Sequence, residues 1–282
     1  MANSLAMSVL STSFHAARRF VGEISAVGAT ATVPCAARYM IKVASALPAI
    51  LRKRSLAPAD ALMTGALCRF RRFGTDVVVP GDLFGGAREM YARGVYFAPP
   101  NFRLRAGDTV IDLGANQGLF TVLAARIAAK VVAVEAQSRF LEAIRRHLAL
   151  NPGTAEVALV LGLVGAESGV FADPGALRSS THYEAAPPVF TMERLFEEHG
   201  VRRVDFLKID IEGSEFSLLG RDVDWLRSVG KVAMEVHLEF GDPSALVDTF
   251  ARAGFRTELR DNDLHPVSVL TGVGGYLYAW RP

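Results

Sequence analysis

The spacing of apolar residues divides the chain into two zones. Residues 1 to about 75 are rich in alanine and serine and show no clear strand pattern. From about residue 76 onward, short β-branched runs alternate with segments whose apolar residues recur at helical spacing. This alternation is typical of βαβ units, in which helices cover a largely parallel sheet. The pattern predicts an α/β domain over residues 76–282, preceded by a mainly helical cap or extension over residues 1–75.

Several segments of the second zone have the length and β-branched content of strands. They are Thr109–Leu113, Lys130–Val134, Val157–Leu161, Val204–Ile209, Lys231–Val236, Phe255–Leu259 and Gly275–Trp280. Helices are predicted at Gly118–Ile127, Arg139–Leu150, Met192–His199 and Glu215–Arg227. Thr191 suits the N-cap of the third helix. The stretch from Gly162 to Val201 contains the segment GVFADPGALRSSTHYEAAPPVF, which is predicted to be a hairpin or loop insertion near the carboxyl edge of the sheet, where loops often meet substrate.

The turn after the first predicted strand is rich in small residues. It reads Asp112-Leu-Gly114-Ala-Asn-Gln-Gly118. The dinucleotide fingerprint G-x-G-x-x-G needs a middle glycine that lets the backbone approach a pyrophosphate, and this turn lacks it. A P-loop is excluded because no Lys-Ser/Thr pair follows Gly118. The acid Asp112 would repel a pyrophosphate but would suit a cation or an amine.

Glu135 ends the next predicted strand, 21 residues after Gly114. A carboxylate at this place can accept hydrogen bonds from both hydroxyls of a ribose. The turn and the acid together indicate a nucleoside with a positive charge and no phosphate, and S-adenosylmethionine fits that description. The simpler alternative is a plain strand-to-helix turn whose glycines allow close packing.

Polar residues also interrupt two apolar strand patterns farther along the chain. Period-two alternation places Lys208 and Asp210 on one strand face, with Glu212 following if the strand continues. The next strand repeats the pattern with Glu235, His237 and Glu239. If the two strands are neighbours, both polar sets meet at their carboxyl ends, beside the switch point where open α/β sheets bind ligands.

At these motifs the sequence resembles a known family. The segments VIDLGANQGLFTVLAA, VVAVEAQ, TMERLFEEHGVRRVDFLKIDIEGSEFSLL and AMEVH are similar to those of the FkbM family of S-adenosylmethionine-dependent methyltransferases, over about residues 76–280. The resemblance implies a Rossmann-like class I methyltransferase fold, a seven-stranded, mostly parallel sheet with helices on both faces. It also implies methylation of hydroxyl groups on sugars, glycolipids or natural products.

The resemblance implies roles for individual residues as well. The methionine end of the cofactor would be held by the glycine turn and the ribose by the acid after the second strand, while Asp210 and Glu212 would border the transfer site. The cofactor-binding residues implied are Asp112, Gly114, Ala115, Asn116, Gly118, Glu135, Ala136 and Asp210.

Methyl transfer to a hydroxyl requires that the hydroxyl lose its proton. His237 is the first candidate for the base, because an imidazole near its ordinary pKa works at neutral pH and Glu235 or Asp210 would orient it. A core histidine satisfied by a neighbouring acceptor is the alternative. Asp210 is the second candidate for the base, and Lys208 is expected to neutralise Glu235 or Asp210.

The sequence offers no compact set of metal ligands, so no metal is expected. If Mg²⁺ were bound, Asp210 and Glu212 would supply its hard oxygen ligands. Glu215 falls in the first turn of the following predicted helix, where an acid favours the helix dipole. His182 and Tyr183 in the insertion are candidates for substrate contact, and Tyr91 and Tyr96 for lining the cleft or packing in the core.

Charge separates the ends of the chain. Residues 1–105 contain 14 Lys/Arg and 5 Asp/Glu, whereas the rest contains 17 Lys/Arg and 24 Asp/Glu. Because the basic excess does not lie on the predicted catalytic domain, a nucleic-acid partner is not expected, and a small-molecule or glycan hydroxyl is the expected acceptor. The helix predicted around residues 38–54 is either a cap or a basic surface helix in peripheral contact with anionic lipid, and Pro48 is expected to break its apolar stripe.

Two cysteines cannot form a disulfide framework or a zinc site, so a cytoplasmic location is expected, peripheral to the membrane if the basic segment touches lipid. The twin arginines Arg18 and Arg19 only faintly resemble an export signal, since Glu23 interrupts the apolar run that follows. Two rival functions stay open. They are a nicotinamide-dependent Rossmann oxidoreductase and a non-catalytic methyltransferase-fold protein that binds a membrane surface through its N-terminus.

Overall fold

The computed structural model describes residues 19–164, 187–220, 222–272 and 274–282. The chain forms two compact units, Met1–Val95 and Tyr96–Pro282. The predicted boundary after residue 75 therefore falls inside the first unit, within a β-hairpin. His182 and Tyr183, candidates for substrate contact, lie outside the described residues.

The first unit combines short helices with one hairpin. Residues 19–30 are helical. They are followed by α1 (Val33–Lys53), α2 (Ala57–Ala61), β1 (Leu67–Arg72), β2 (Thr75–Pro80), a 3₁₀ turn (Gly81–Leu83), α3 (Phe84–Ala87) and a π-helical turn (Arg88–Arg93). Strands β1 and β2 pair antiparallel. Their aromatic core brings Phe70 within 5.5 Å of Phe84 and 5.7 Å of Tyr91, measured between ring centroids.

The first unit differs from the sequence-based expectations at two points. The zone shows no clear strand pattern, yet it contains β1, which buries Cys68 and Phe70 while Arg69 and Arg71 face outward. Period-two alternation is present there, but three arginines hide it. Pro48 was expected to break the apolar stripe, but α1 continues through it, since the missing N–H removes only one helical hydrogen bond.

The second unit contains one large sheet. Its strands are β3 (Thr109–Leu113), β4 (Lys130–Glu135), β5 (Glu156–Leu161), β8 (Phe206–Ile209), β9 (Lys231–Val236), β10 (Arg256–Arg260), β11 (Pro266–Val267) and β12 (Gly275–Trp280). A separate two-residue pair, β6 (Leu163–Val164) and β7 (Val189–Phe190), runs parallel at the insertion. The helices are α4 (Leu119–Ala125), α5 (Ser138–Leu150), α6 (Met192–Glu198), α7 (Glu215–Leu219) and α8 (Pro243–Arg252).

The sheet order is β11-β10-β12-β9-β8-β3-β4-β5. Five neighbouring strands are parallel, namely β5, β4, β3, β8 and β9. Strands β12, β10 and β11 follow in antiparallel pairings. The described sheet thus has one strand more than the predicted seven, because the two-residue β11 joins its edge. The order reverses between β3 and β8, so a ligand crevice is expected beyond the carboxyl ends of these two strands.

Burial explains why the central strands were recognisable. Val110 and Ile111 on β3 and Val131 and Val132 on β4 are fully buried, as strands covered on both faces must be. The N-cap prediction at Thr191 is also confirmed, since its side chain accepts a hydrogen bond from the Arg194 N–H. The helix predicted over 215–227 is instead two pieces, α7 and a 3₁₀ turn (Asp224–Ser228).

Candidate active site

The glycine turn after β3 is clamped to the end of β4. The N–H groups of Gly114 and Ala115 both donate to the Val134 carbonyl, at 3.0 and 2.9 Å. Gly114 has φ +74°, and a Cβ there would stand 1.7 Å from the Asp210 carbonyl oxygen. Only glycine lets the turn approach the end of β8 this closely.

A buried ion pair supports the turn from below. Lys208 Nζ donates to the carbonyls of Gly114 and Leu113, at 2.6 and 3.2 Å, and lies 3.2 Å from Asp112 Oδ1. Asp112 is fully buried, and its other oxygen accepts from the Thr121 hydroxyl at 2.6 Å. Burial disfavours the Lys208 ammonium, but the charges of Asp112 and Asp210 outweigh it and raise the Lys208 pKa. Lys208 therefore positions the turn.

Glu135 connects the turn to the loop after β4. Its Oε2 accepts from the Asn116 N–H at 2.7 Å, and its Oε1 accepts from the Gln137 N–H at 2.8 Å. Burial raises the pKa of Glu135, and the two backbone N–H groups oppose that rise. An ionised carboxylate has about four lone-pair sites, so it keeps acceptor capacity for a ribose.

A pocket opens beside the turn and encloses about 640 Å³, including the space open to solvent. Gly114, Asn116, Glu135 and Ala136 form one part of its wall, and Asp210 and Glu212 form another. Gly162, Leu163 and Val164 complete the wall from the start of the insertion. The pocket thus joins the predicted cofactor residues to the predicted transfer site.

The two polar strand ends meet as predicted, because β8 and β9 are parallel neighbours with Ile209 opposite Met234. The Tyr96 hydroxyl donates to Asp210 Oδ2 at 2.9 Å and lies 3.4 Å from Glu235 Oε2. Burial, with the charges of Asp210 and Glu235, raises the pKa of Tyr96 well above its ordinary value. Tyr96 therefore stays a neutral donor that holds the two acids together.

His237 is oriented by Glu215, not by Glu235 or Asp210 as expected. Its Nδ1 and its backbone N–H lie 2.9 and 2.8 Å from Glu215 Oε1, and Glu215 Oε2 accepts from the Gly213 N–H at 2.9 Å. Glu215 is fully buried and His237 is 7% exposed. Because His237 Nδ1–H donates to the Glu215 carboxylate, the Nε2 atom points away from Glu215 and lies 3.5 Å from Glu212 Oε2.

The pKa of His237 is not ordinary, so that part of the expectation is wrong. Burial lowers it, but the hydrogen bond and charge of Glu215, with the charges of Asp210 and Glu235, raise it to about 9. At neutral pH the imidazole is therefore protonated on both ring nitrogens and carries a positive charge. Simple proton acceptance by His237 is disfavoured by this environment.

Most of the predicted site residues come together. The pocket is lined by Gly114, Asn116, Glu135, Ala136 and Asp210. Three other residues of the turn are buried and do not line it, namely Asp112, Ala115 and Gly118. Lys208 and His237 join the pocket through their contacts with Asp210 and Glu212, and Glu235 is linked to Asp210 through the Tyr96 hydroxyl. Two candidates fall elsewhere. Glu239 lies exposed on a 3₁₀ turn (Leu238–Phe240), and Tyr91 is buried in the first unit.

Sequence reasoning missed the structural role of Glu215. Its place at a helix start suggests an acid that stabilises the helix dipole. In the structure, its carboxylate instead accepts hydrogen bonds from Gly213 and His237. A spacing of 22 residues between Glu215 and His237 carries no periodic signal. The one available hint was a pair of polar residues at neighbouring strand ends.

Comparison with protein families identifies a methyltransferase domain in this chain. The Methyltransferase FkbM domain matches residues 112–257, more than half of the chain. A curated relative, the AMB antimetabolite synthetase AmbE of Pseudomonas aeruginosa, is 30% identical over 251 residues. That alignment covers 69% of this chain and 11% of AmbE, so the chain spans about a tenth of the relative's length.

Two solved structures are among those similar to this chain. A methyltransferase FkbM from Methylobacillus flagellatus KT has a TM-score of 0.44 at 14% identity, covering 83% of this chain and 60% of that one. An S-adenosylmethionine-dependent O-methyltransferase from Thermotoga maritima has a TM-score of 0.42 at 15% identity, covering 77% and 78%. The predicted Rossmann-like methyltransferase fold is confirmed, and because the domain match spans more than half of its residues, the chain belongs to the FkbM methyltransferase family.

Proposed function

We propose that the protein transfers the methyl group of S-adenosylmethionine to a hydroxyl oxygen of a sugar, a glycolipid or another natural product. The observation that carries this proposal is the continuity of the pocket. Its wall runs from Gly114 and Glu135 to Asp210 and Glu212, so a bound cofactor would present its reacting end beside the polar strand ends. The name of the Pseudomonas relative, an antimetabolite synthetase, supports natural products among the acceptors.

Charge supports the cofactor. Four carboxylates, those of Asp112, Glu135, Asp210 and Glu212, stand around the turn, and they outnumber the two opposing cations, Lys208 and the protonated His237. A net negative site attracts a sulfonium and repels a pyrophosphate. Moreover, the Asn116 N–H is already donated to Glu135, so it is not available to a phosphate. These contacts weigh against a nicotinamide dinucleotide.

Methyl transfer is an in-line displacement, in which the oxygen–methyl bond forms as the methyl–sulfur bond breaks and the sulfonium loses its charge. The protein contributes mainly by alignment, worth up to about 7–11 kcal/mol for well-held reactants. The hydroxyl must also lose its proton. That proton would pass to a carboxylate of the acidic strand ends and from there to solvent, with His237 held beside these acids by Glu215. A non-catalytic protein would have no need of this arrangement.

Labelled S-adenosylmethionine tests the proposal directly. Calorimetric titration should show binding of S-adenosylmethionine and no binding of NADH, and incubation with hydroxylated acceptors should yield a labelled ether. We expect His237→Gln to keep cofactor binding and lose transfer, because His237 does not line the cofactor pocket. Binding of NADH, or label on nitrogen or carbon instead of oxygen, would contradict the proposal.

We also propose that the first unit makes peripheral contact with anionic lipid. No helix of the described residues is long and apolar enough to cross a membrane. Helix α1 exposes an apolar stripe at heptad-like spacing, formed by Val33, Ala37, Met40, Ala44, Leu47 and Leu51. The helix carries four cations and no acid. A second copy packed on this stripe would bring like charges together, whereas an anionic lipid surface would match them.

A further inference from the structure

We infer that Asp210, Glu212 and His237 form a binding site for a divalent transition-metal cation. The role assigned to the ion, binding the acceptor oxygen, rests on the proposed function, whereas its binding does not. This differs from the sequence-based expectation of no metal, because the sequence did not give the distances between His237 Nε2 and the two acids.

The donor atoms are close enough to share one ion. One donor atom from each of the three residues lies within 4.8 Å of the others, and His237 Nε2 is 3.5 Å from Glu212 Oε2. An ion bound at about 2.1 Å from each ligand would hold them no more than about 4.2 Å apart. Glu212 is the most exposed of the three, with 39% of its side chain accessible, and its rotatable carboxylate can make the small remaining adjustment.

His237 is prepared as a ligand. Metal-binding histidines usually donate their other ring N–H to a carboxylate, which fixes the ring and its tautomer. Glu215 is fully buried, accepts at Nδ1 and is itself held by the Gly213 N–H, so it cannot turn away. The Nε2 atom of a nine-tenths buried imidazole is thereby aimed at the group of acids, and a bound metal ion would take the place of its proton.

Asp210 is held in place for the same purpose. Tyr96 donates to its Oδ2 at 2.9 Å, and Lys208 Nζ lies 3.6 Å from the same oxygen. Glu212 adopts φ +52°, an uncommon value for a non-glycine residue, within the turn that follows β8. Such strained conformations cluster at functional sites, and here the turn carries Glu212 to His237.

The ligand set indicates the class of metal. Carboxylate oxygens suit Mg²⁺ and Mn²⁺, while an imidazole nitrogen moves the preference toward first-row transition metals. Asp210 and Glu212 line the cofactor pocket, so the ion would stand beside the reacting methyl group. A bound hydroxyl would lose its proton to solvent more readily, and its oxygen would then form the bond to methyl as the methyl–sulfur bond breaks.

Electron paramagnetic resonance of Mn²⁺ tests the site without S-adenosylmethionine and without turnover. The full chain, purified without a histidine tag and stripped with a chelator, should bind one Mn²⁺, and Zn²⁺ should displace it. We expect Asp210→Asn and His237→Gln to abolish binding at the same concentrations. Glu215→Gln should weaken it about 10- to 100-fold, since it removes only the partner of the ligand.

The matched control is Glu239→Gln, which removes an exposed carboxylate from the adjacent turn and should leave Mn²⁺ affinity unchanged. Circular dichroism checks that each variant is folded. A wild-type chain that binds no Mn²⁺ or Zn²⁺ at millimolar concentration overturns the inference, as does binding that survives in both ligand variants. Because S-adenosylmethionine binding is titrated separately, failure of the metal site is distinguishable from failure of the proposed function.

Discussion

Gly114 has a φ of +74° and faces the carbonyl of Asp210, so an added methyl group is penalised twice. The left-handed conformation alone costs a non-glycine residue about 1–2 kcal/mol. The overlap with the Asp210 carbonyl, at 1.7 Å, adds to this because backbone atoms cannot rotate away. We therefore expect Gly114→Ala to weaken S-adenosylmethionine binding at least about tenfold, or about 1.4 kcal/mol, by calorimetry.

Gly107 supplies the matched control for that substitution. Its φ is +92°, also positive, but a Cβ there would meet nothing within 4 Å. Gly107→Ala should therefore lose some stability from backbone strain and keep wild-type affinity for S-adenosylmethionine. Equal affinities for Gly114→Ala and the wild type would show that the turn does not shape the pocket.

Glu135 makes cofactor affinity dependent on pH. Burial raises its pKa above the ordinary 4.5, and only the ionised carboxylate can accept ribose hydrogen bonds at full strength. As pH falls through the raised pKa, S-adenosylmethionine affinity should fall, at a higher pH than an exposed glutamate would give. Calorimetry between pH 5 and 8 measures the effect, which Glu135→Gln should remove while lowering affinity throughout.

For the cofactor-free chain, the folding stability depends on pH in the opposite direction to the cofactor affinity. A raised pKa in the folded state means that the stability contributed by Glu135 is present below its unfolded pKa and is lost as pH rises through its folded pKa.

Glu156→Gln is the control for the pH dependence of cofactor affinity, because the Glu156 side chain is 71% exposed at the start of β5. An affinity profile that Glu156→Gln changes and Glu135→Gln does not would contradict the assignment.

At the scale of elements, a buried ion pair ties the short helices of the first unit together. Arg88 of the π-helical turn contacts Asp60 of α2 through two hydrogen bonds, at 2.8 and 3.3 Å, and also pairs with Glu23. The Tyr39 hydroxyl of α1 donates to the same Asp60 at 2.9 Å. Arg88→Ala would leave the buried Asp60 carboxylate without its cation, which typically costs about 3–5 kcal/mol, whereas Glu23 would keep its pair with Arg19.

Urea denaturation followed by circular dichroism should show this loss as an earlier loss of helix. Arg71→Ala is the control, because Arg71 makes an equally close pair with Asp76 but is exposed, so solvent screens the pair and its loss should shift the urea midpoint little. Trp225 and Trp280 both lie in the second unit, so their fluorescence follows that unit separately. Similar shifts for the two arginine variants would contradict the predicted role of burial.

The elements also show what the sequence could predict. Central strands such as β3 were predictable because they are covered on both faces and appear as unbroken apolar runs, in which Asp112 and Lys208 stand out. Parallel pairing of β8 and β9 then followed, and with it the meeting of Asp210 and Glu235. Strand β1 was missed because arginines occupy its outward positions. The contact of Glu215 with His237 was missed because a turn geometry, not a periodic pattern, creates it.

At the scale of the whole molecule, charge is divided along the chain. Residues 1–105 carry nine more basic than acidic residues, and the remainder carries seven more acidic than basic ones. A net charge of +2 hides this division. The acidic excess accompanies the residues that form the cofactor pocket, where a sulfonium would benefit from it. The basic excess includes α1, whose exposed apolar stripe has cations beside it.

Co-sedimentation with vesicles tests the lipid proposal. We expect binding to vesicles that contain phosphatidylserine and none to neutral phosphatidylcholine, since each cation near an anionic surface contributes about 1 kcal/mol. Binding should weaken as salt shortens the Debye length from about 10 Å at 0.1 M. A truncated chain without residues 1–55 would not test the lipid contact alone. The deletion would also remove Tyr39, which is fully buried and hydrogen-bonded to Asp60.

Substitutions on the exposed stripe are better suited. Met40 and Leu47 are 51% and 48% exposed, so Met40→Glu with Leu47→Glu should abolish vesicle binding without disturbing the buried face of α1. Val269→Glu is the control, since it places the same charge at a 62% exposed residue of the second unit. Vesicle binding that resists the double substitution, or a sedimentation equilibrium showing a dimer that the substitution dissolves, would assign the stripe to another partner. Retained methyl transfer in the double variant would show that the lipid contact takes no part in the chemistry.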